Sequence, residues 1–375
     1  MTLGDTPTAT AAEEQILAAA KRGDETAYAS LVDLYRGELQ AHCYRMLGSV
    51  HDAEDAMQDA MLRAWRGLGR FEGRSSLRSW LYRIATNTCL DIIGKRPKRV
   101  LPVDYGPATD PHDGPGDPVV ESVWIEPYPD ELLADDVAAG PEARYEQREA
   151  VELAFIASLQ LLPATQRAAL VLREVLGFSA KETAAALDTT VPSVNSALQR
   201  ARATLEDRVP ERSQQETLRM LGDEAVTEAV ERYMRAWERN DVETVVGMLA
   251  EDATFTMPPL ASWFGPRDQI AEFLAYSPMS GAWRWRPLRV RANGQEALAF
   301  YAWDDGESCY MPFALNVLTF TADGAISDVT AFIARSGEGA SREEILRMPE
   351  REYDDRALAS TFSNFGLPER LEDED

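Results

Sequence analysis

Histidine and cysteine are scarce, with three of each in 375 residues. Cys43, Cys89 and Cys309 lie far apart, with no paired spacing for zinc and no disulfide framework. No stretch approaches the roughly 20 consecutive apolar residues that span a bilayer. The opening MTLGDTPTATAAEEQ has no basic n-region and no apolar h-region, so it does not read as a signal peptide. These absences predict a cytoplasmic chain without a membrane segment, a metal site or a cofactor. Hydrophobic residues make up 45% and charged residues 27%, which excludes a wholly disordered or collagenous protein. At roughly 100–200 residues per domain, the length predicts two or three domains.

Basic residues are in the minority, 38 against 63 acidic, for a net charge of −25. Taken whole, that argues against nucleic acid, whose phosphates need Lys and Arg. The distribution argues the other way. Residues 63–99 carry 10 basic and 2 acidic side chains, a net of +8. Residues 101–150 carry 2 and 13, a net of −11, and residues 211–375 carry 16 and 31, a net of −15. One basic segment inside an acidic chain marks a nucleic-acid contact with built-in counter-charge.

Residues 11–97 read as helices, within a first domain expected over 11–100. Residues 25–48 place Leu31, Leu34, Tyr35, Leu39, Cys43, Met46 and Leu47 on one apolar stripe. Ser49 caps a second helix running to Gly67 or Gly69, and a third, from Leu77, stops at Gly94 and Pro97. Residues 101–141, rich in proline, glycine and aspartate, have the composition of a linker. Within it Val119–Leu133 is apolar enough to dock on a surface. Residues 142–210 are helical again. Residues 223–336 begin with helices and continue as alternating strands separated by Asn-Gly and Asp-Gly turns, an α+β pattern. Residues 337–375 read as a mobile acidic tail whose apolar patch is TFSNFGLPERL. The expected fold is therefore multidomain: two all-α domains and a C-terminal α+β domain.

Three constellations carry chemistry. Asp52, Glu54, Asp55, Gln58 and Asp59 share one helix, with Asp52, Asp55 and Asp59 on one face, suited to a basic protein surface. A solvated face that complements the helix dipole is the alternative. Between Phe71 and Asn87, aromatics alternate with arginines and hydroxyls: Phe71, Arg74, Ser75, Ser76, Arg78, Trp80, Tyr82 and Arg83. Single strands need such faces for stacking, cations for phosphate and amides for base edges. Lys95, Arg96, Lys98 and Arg99 extend this basic track, and Trp80 also fits a core position. Last, Leu170–Arg202 has the spacing of a helix-turn-helix, whose second helix presents Ser193, Asn195, Ser196, Gln199 and Arg200. Asn and Gln can read adenine, and Arg guanine or phosphate.

Together, DAEDAMQDAMLRAW, FEGRSSLRSWLYRIATNTCLD, LLPATQRAALVLREVLGFSAKETAAAL and VPSVNSALQRAR resemble regions 2 and 4 of an extracytoplasmic-function sigma factor. The resemblance covers residues 11–100 and 142–208. It implies that Asp52, Glu54, Asp55, Gln58 and Asp59 dock the β′ clamp coiled coil of core RNA polymerase, and that region 4 meets the β flap. It implies that Phe71, Arg74, Ser75 and Asn87 capture a flipped −10 base, with Arg83, Lys95 and Arg96 beside them. Lys181, Ser193, Asn195, Ser196, Gln199 and Arg200 then meet the −35 duplex. Asn195 and Ala197 stand where Lys and Arg are more usual, which implies weaker phosphate anchoring or a different −35 sequence. The linker resembles the family's connector through the polymerase cleft, where its charge mimics nucleic acid.

Residues 223–336 resemble a SnoaL or NTF2-like cone, an appended domain that implies regulation. A small molecule or the tail segment is the expected pocket ligand. Pocket candidates are Trp237, Phe255, Trp263, Phe264, Trp283, Trp285, Tyr301 and Trp303. Relatives of this cone include enzymes with a His or Asp base. His42, His51 and His112 all lie outside it, and the available Asp252, Asp304 and Asp305 include two in a turn. The expected protein is thus a non-enzymatic initiation factor whose acidic C-terminal domain competes with DNA for the basic faces. Two alternatives remain open: a helix-turn-helix regulator independent of polymerase, and a cone-domain enzyme with a DNA-targeting module.

Overall fold

The computed structural model describes residues 11–113, 123–133, 146–206, 208–210, 212–334 and 361–373. Five helices open the chain: α1 (Ala11–Lys21), α2 (Glu25–Asp33), α3 (Arg36–Leu47), α4 (Val50–Leu68) and α5 (Leu77–Ile93). The single helix expected over residues 25–48 is two, broken at Leu34 and Tyr35. The break turns Leu34 off the apolar stripe to 61% exposure, while Leu31, Leu39, Cys43 and Met46 stay buried. Ser49 and Ser76 cap α4 and α5 by accepting from the N–H groups of Asp52 and Ser79. Gly69 and Gly94 follow their last turns.

The second helical unit comprises α6 (Leu153–Leu161), α7 (Ala164–Leu170), a π turn (Val171–Val175), α8 (Ala180–Ala186) and α9 (Val191–Leu205). A full capping box, Ser179 with Glu182, starts α8, and Thr190 caps α9. Next comes α10 (Gln214–Leu221), capped by Ser213.

The last unit has α11 (Asp223–Glu238), α12 (Val242–Gly247) and α13 (Arg267–Tyr276) against six strands: β1 (Leu249–Thr256), β2 (Trp263–Phe264), β3 (Trp285–Ala292), β4 (Gln295–Asp304), β5 (Cys309–Phe320) and β6 (Ile326–Ile333). Their order is β2-β1-β6-β5-β4-β3, antiparallel except for the parallel β1–β6 pair. Side chains alternate across the strands. Leu298, Phe300 and Leu318 face α11 and α13, whereas Ala297, Ala299, Tyr301, Leu315 and Val317 face the opposite way. That opposite face is no free surface. It belongs to one continuous core with Leu39, Tyr44, Tyr128, Val151 and Ile156 of the helical units and linker.

The linker docks where it is described. Val123, Trp124, Ile125 and Tyr128 are buried, which accords with the apolar island; its residues 119–122 lie outside the described set. Its acidic groups pair with all three units: Asp104 with Arg208, Glu126 with Arg99, and Asp130 with Arg291. The mobility expected of the tail concerns mostly residues 335–360, also outside the described set. Thr361–Asp373 lies on the back of the sheet, with Phe362 packed edge-on to Tyr301 at 5.4 Å. The Tyr301 hydroxyl donates to the Pro368 carbonyl at 2.8 Å, and Tyr310 and Leu371 exchange backbone hydrogen bonds.

Candidate nucleic-acid interface and C-terminal cavity

On α4, Glu54, Asp55, Gln58 and Asp59 are exposed as the helical spacing requires. Asp52 departs from that face. It is 2% exposed and sits between two guanidiniums, with Arg99 Nη2 at 2.7 Å and Arg96 on its other oxygen. One of its first-turn neighbours, the α4 N-terminus, also favours its charge. The expectation that Asp52 lies on the outward face is therefore corrected, and Arg96 is engaged in this pair rather than free on the basic track. Beside the exposed face runs a groove of about 890 Å³ whose lining includes Leu34, Glu54, Met57, Gln58 and Leu132.

Phe71 is half-buried, its ring 5.1 Å from Trp80. Lys21 sits 5.0 Å from the ring centroid, and its ammonium donates to the Phe71 carbonyl at 2.6 Å. Lys21 was not visible in the sequence, because nothing local ties residue 21 to residue 71. Arg74 and Ser75 are exposed, Arg74 pairing with Glu72. Arg83 and Lys95 are exposed and Asn87 half-buried. Arg78 is drawn inward: it pairs with Glu38 at 2.9 Å and stacks on Tyr82 and Phe178, 4.8 and 5.1 Å from their centroids.

That last contact joins the two helical units, since Phe178 precedes α8. Ser79 also donates to Glu182 at 3.2 Å. Two buried arginines complete the seam. Arg45 donates to the Ala150 carbonyl at 2.9 Å, while Arg167 donates to the carbonyls of Gln160 at 3.1 Å and of Met46. Burial lowers both guanidinium pKa values, that of Arg167 to about 10. In the second unit, Lys181, Ser193, Asn195, Ser196, Gln199 and Arg200 are all exposed, five of them on α9.

The β3–β4 hairpin reaches into this seam. Asn293 and Gly294 have φ of 56° and 70°, a turn that Asn-Gly adopts readily. Asn293 is completely buried and bonded at both polar atoms of its side chain. Its Nδ2 donates to the Tyr44 hydroxyl and the Val151 carbonyl, both at 2.8 Å. Its Oδ1 accepts from the Tyr128 N–H at 2.9 Å, and its own N–H donates to the Tyr128 carbonyl at 2.8 Å. One side chain thus binds the first unit, the linker and the second unit together. The next residue, Gly294, donates to Asp130 at 2.7 Å. A Cβ there would stand 2.9 Å from the Arg148 carbonyl, so glycine is required. Nearby, Glu152 accepts from the N–H groups of Gln214 and Gln215 at 2.9 and 2.8 Å. Burial pushes its carboxyl up to about 7 against those bonds, with Glu149 adding to the rise.

Of the pocket candidates, Trp237, Phe255, Trp283 and Trp285 line a cavity inside the cone. Tyr301 and Trp303 do not: strand alternation puts them on the opposite face, where Tyr301 meets the tail and Trp303 stacks under Arg284. Phe264 packs behind the cavity, stacked on Phe273 at 4.1 Å, and Trp263 donates to the linker's Gly106 carbonyl at 2.9 Å. The tail segment likewise lies outside the cavity, across the sheet from it. Asp252 and Asp305 are exposed, and Asp304 is buried in its own turn, accepting from Gly306 and Glu307. Among the described residues no ionisable side chain lines the cavity, and no cluster of His, Cys, Asp or Glu could hold a metal. Among them, too, no helix is long and apolar enough to cross a membrane.

Comparison with known proteins agrees with this organisation. Residues 31–99 match the family Sigma-70 region 2, residues 152–205 Sigma-70, region 4, and residues 230–329 SnoaL-like domain. The chain is 41% identical over 321 residues to the sigma factor SigG of Mycobacterium tuberculosis, covering 84% of this chain and 82% of that one. It is 30% identical over 194 residues to the sigma-H factor of Pseudomonas aeruginosa, covering 52% and 92%. The crystal structure of the M. tuberculosis extracytoplasmic function sigma factor SigJ shares the fold, with a TM-score of 0.52 at 23% identity over 81% of this chain and 96% of that one. The chain belongs to the extracytoplasmic-function family of RNA polymerase sigma factors, with a SnoaL-like domain at its C-terminal end.

Proposed function

We propose that this sigma factor docks core polymerase through the outward face of α4, reads −35 duplex with α9 and captures an unstacked −10 base near Phe71, and that its C-terminal domain holds it closed until it engages. Glu54, Asp55, Gln58 and Asp59 form the docking face, complementary to the basic clamp coiled coil of β′, and region 4 meets the β flap. Arg74, Ser75, Arg83, Asn87 and Lys95 receive the single strand. Lys181, Ser193, Asn195, Ser196, Gln199 and Arg200 receive the duplex. The domain boundaries proposed are 11–100, 101–141, 142–210, 223–336 and 337–375. The setting is the cytoplasm, and the cone is regulatory rather than catalytic, in keeping with a cavity without an ionisable wall.

One observation carries the closed state: the Asn293 hub binding region 2, linker and region 4 at once. Elements named −10 and −35 lie 25 base pairs apart, roughly 85 Å at ~3.4 Å per base pair. Helical domains of this size have radii of gyration of about 13 Å or less. With Ser79 touching Glu182, the two reading faces cannot span that separation, so promoter engagement requires the seam to part. Competition of the acidic domain with DNA is not supported, because the faces themselves are exposed. Core polymerase capture by the full chain tests the docking assignment. Asp55→Lys should abolish capture while leaving the fold intact; capture undiminished by that change would favour a polymerase-independent regulator.

A further inference from the structure

Away from the cone, a cavity of about 220 Å³ lies at the seam of the two helical units. Its lining joins the end of α5 and Arg96, Lys98 and Arg99 to Gln160, Leu162 and Arg167 of the second unit. Four of the lining side chains are cations, Arg96, Lys98, Arg99 and Arg167, and one is a carboxylate, Asp52. Asp52 holds Arg96 and Arg99 together, and Glu126 gives Arg99 a second carboxylate. Two cations and two carboxylates thus offset each other. Lys98 and Arg167 are left over, and among the described residues neither forms an ion pair. Asp104, the one acid that Lys98 senses, is itself paired with Arg208 at 3.1 Å.

The two surplus cations differ in what they offer. Arg167 is buried and committed to neutral acceptors, the carbonyls of Met46, Gln160 and Leu162 and the Gln160 side-chain oxygen. It gives the cavity its charge rather than a hydrogen bond, and that charge acts strongly through a low-dielectric wall. Lys98 is exposed, and its ammonium makes no hydrogen bond among the described residues, so its donors are open to a guest. Arg167 and Arg208 act on it as like charges, which together with burial lower its pKa. Cations that repel across one space are relieved by an anion between them. A phosphomonoester carries roughly −1.5 to −2 near pH 7, which matches a surplus of two, whereas each phosphodiester carries one charge. Beside the cations, Leu47, Ile92 and Leu162 supply an apolar lining.

We propose that this seam cavity binds a small organic phosphate, a phosphomonoester on a compact apolar body, with the phosphate on the Lys98 ammonium in the field of Arg167. Such a site rests on the closed form proposed above and gives it an effector. Its lining comes from both helical units, so a guest bound there favours the closed form. By linkage, parting the seam lowers the affinity for the guest by the same factor.

Calorimetric titration of phenyl phosphate into the full chain at fixed ionic strength tests this, with benzenesulfonate and an oligothymidylate as comparisons. Phenyl phosphate should saturate at one per chain, and the singly charged benzenesulfonate should bind at least tenfold more weakly. Lys98→Ala, at an exposed position, should weaken phenyl phosphate at least tenfold. Arg22→Ala, exposed just after α1, should leave it unchanged, and Asn293→Leu, which loosens the seam, should weaken it. No saturable binding, affinity insensitive to Lys98→Ala, or equal affinity in Asn293→Leu would each overturn the proposal. So would oligothymidylate taking the site in preference, which would make the cavity part of the single-strand track. Polymerase and promoter take no part in this measurement. Its failure leaves the closed form standing, and a failure to open on a promoter leaves the phosphate result standing.

Discussion

The seam between the domains and the outward faces of α4 and α9 use the same residue types to opposite ends. Asp52 is buried between Arg96 and Arg99, whereas Asp55, one turn along the same helix, is exposed. Asn293 spends its whole side chain on Tyr44, Tyr128 and Val151, whereas Asn195 faces solvent. Arg167 is buried on carbonyls, and Arg200 is exposed. Residue identity is silent on which use applies; burial decides it. Polar groups at the seam hold the domains together, and those on the outward faces stay exposed.

Substitutions can break that contrast. The largest effect is expected at Asp52: Asp52→Ala takes the 2.7 Å carboxylate from buried Arg99, leaving it Glu126 at 3.3 Å, and should cost about 3 kcal/mol of stability, the low end for breaking a buried pair. Asp55→Ala should stay within about 0.5 kcal/mol. Denaturant unfolding of both variants measures the difference. Asn293→Leu strands several buried partners and should cost about 2–4 kcal/mol at the seam, with an increased radius of gyration by small-angle scattering. Asn195→Leu should leave the radius unchanged and alter −35 duplex affinity, by about 1–3 kcal/mol if it reads a base.

Glu152 supplies the pH dependence. Its carboxyl is raised by burial to about 7, above the roughly 4.3 of an unfolded glutamate. The folded chain therefore binds the extra proton, so this contribution is complete below about pH 4 and fades as pH rises through about 7. Stability should fall by roughly 2 kcal/mol between pH 5 and 8, and Glu152→Gln should flatten that slope in thermal unfolding series. The smallest effect belongs to Tyr301→Phe. Losing the hydrogen bond to Pro368 should cost about 1 kcal/mol, seen as faster amide exchange at residues 361–373 with the cone unaffected.

Much of this was legible in sequence because it is local. Helix periodicity, the Ser49 cap, the Asn-Gly turn and the basic run at 63–99 each need only neighbours within a few positions. Exposure along α9 followed from its spacing alone. What was illegible is long-range. Asp52 reads as one more acid on an acidic face, and only its approach to residues 96 and 99 makes it structural. Tyr301 and Trp303 read as pocket aromatics until strand phase, which sets them on the same face of β4 as Ala297 and Ala299, turns them to the back. Asn293 could be read as a turn residue but not as a hub, since its partners lie 142 to 249 positions away. The tail's apolar patch was visible, and its seat on the sheet was not.

The central claim is that the free chain is closed and must open to read a promoter. Fluorescence energy transfer between dyes at Glu25 of α2 and Thr204 of α9, both exposed, tests it most directly, in the free chain and in the complex with core polymerase and promoter DNA. High transfer in the free chain and low transfer in the complex is the expected result, with Asn293→Leu shifting the free chain toward the low state. Equally high transfer in both would mean that the compact form itself engages the promoter, and the claim would fail.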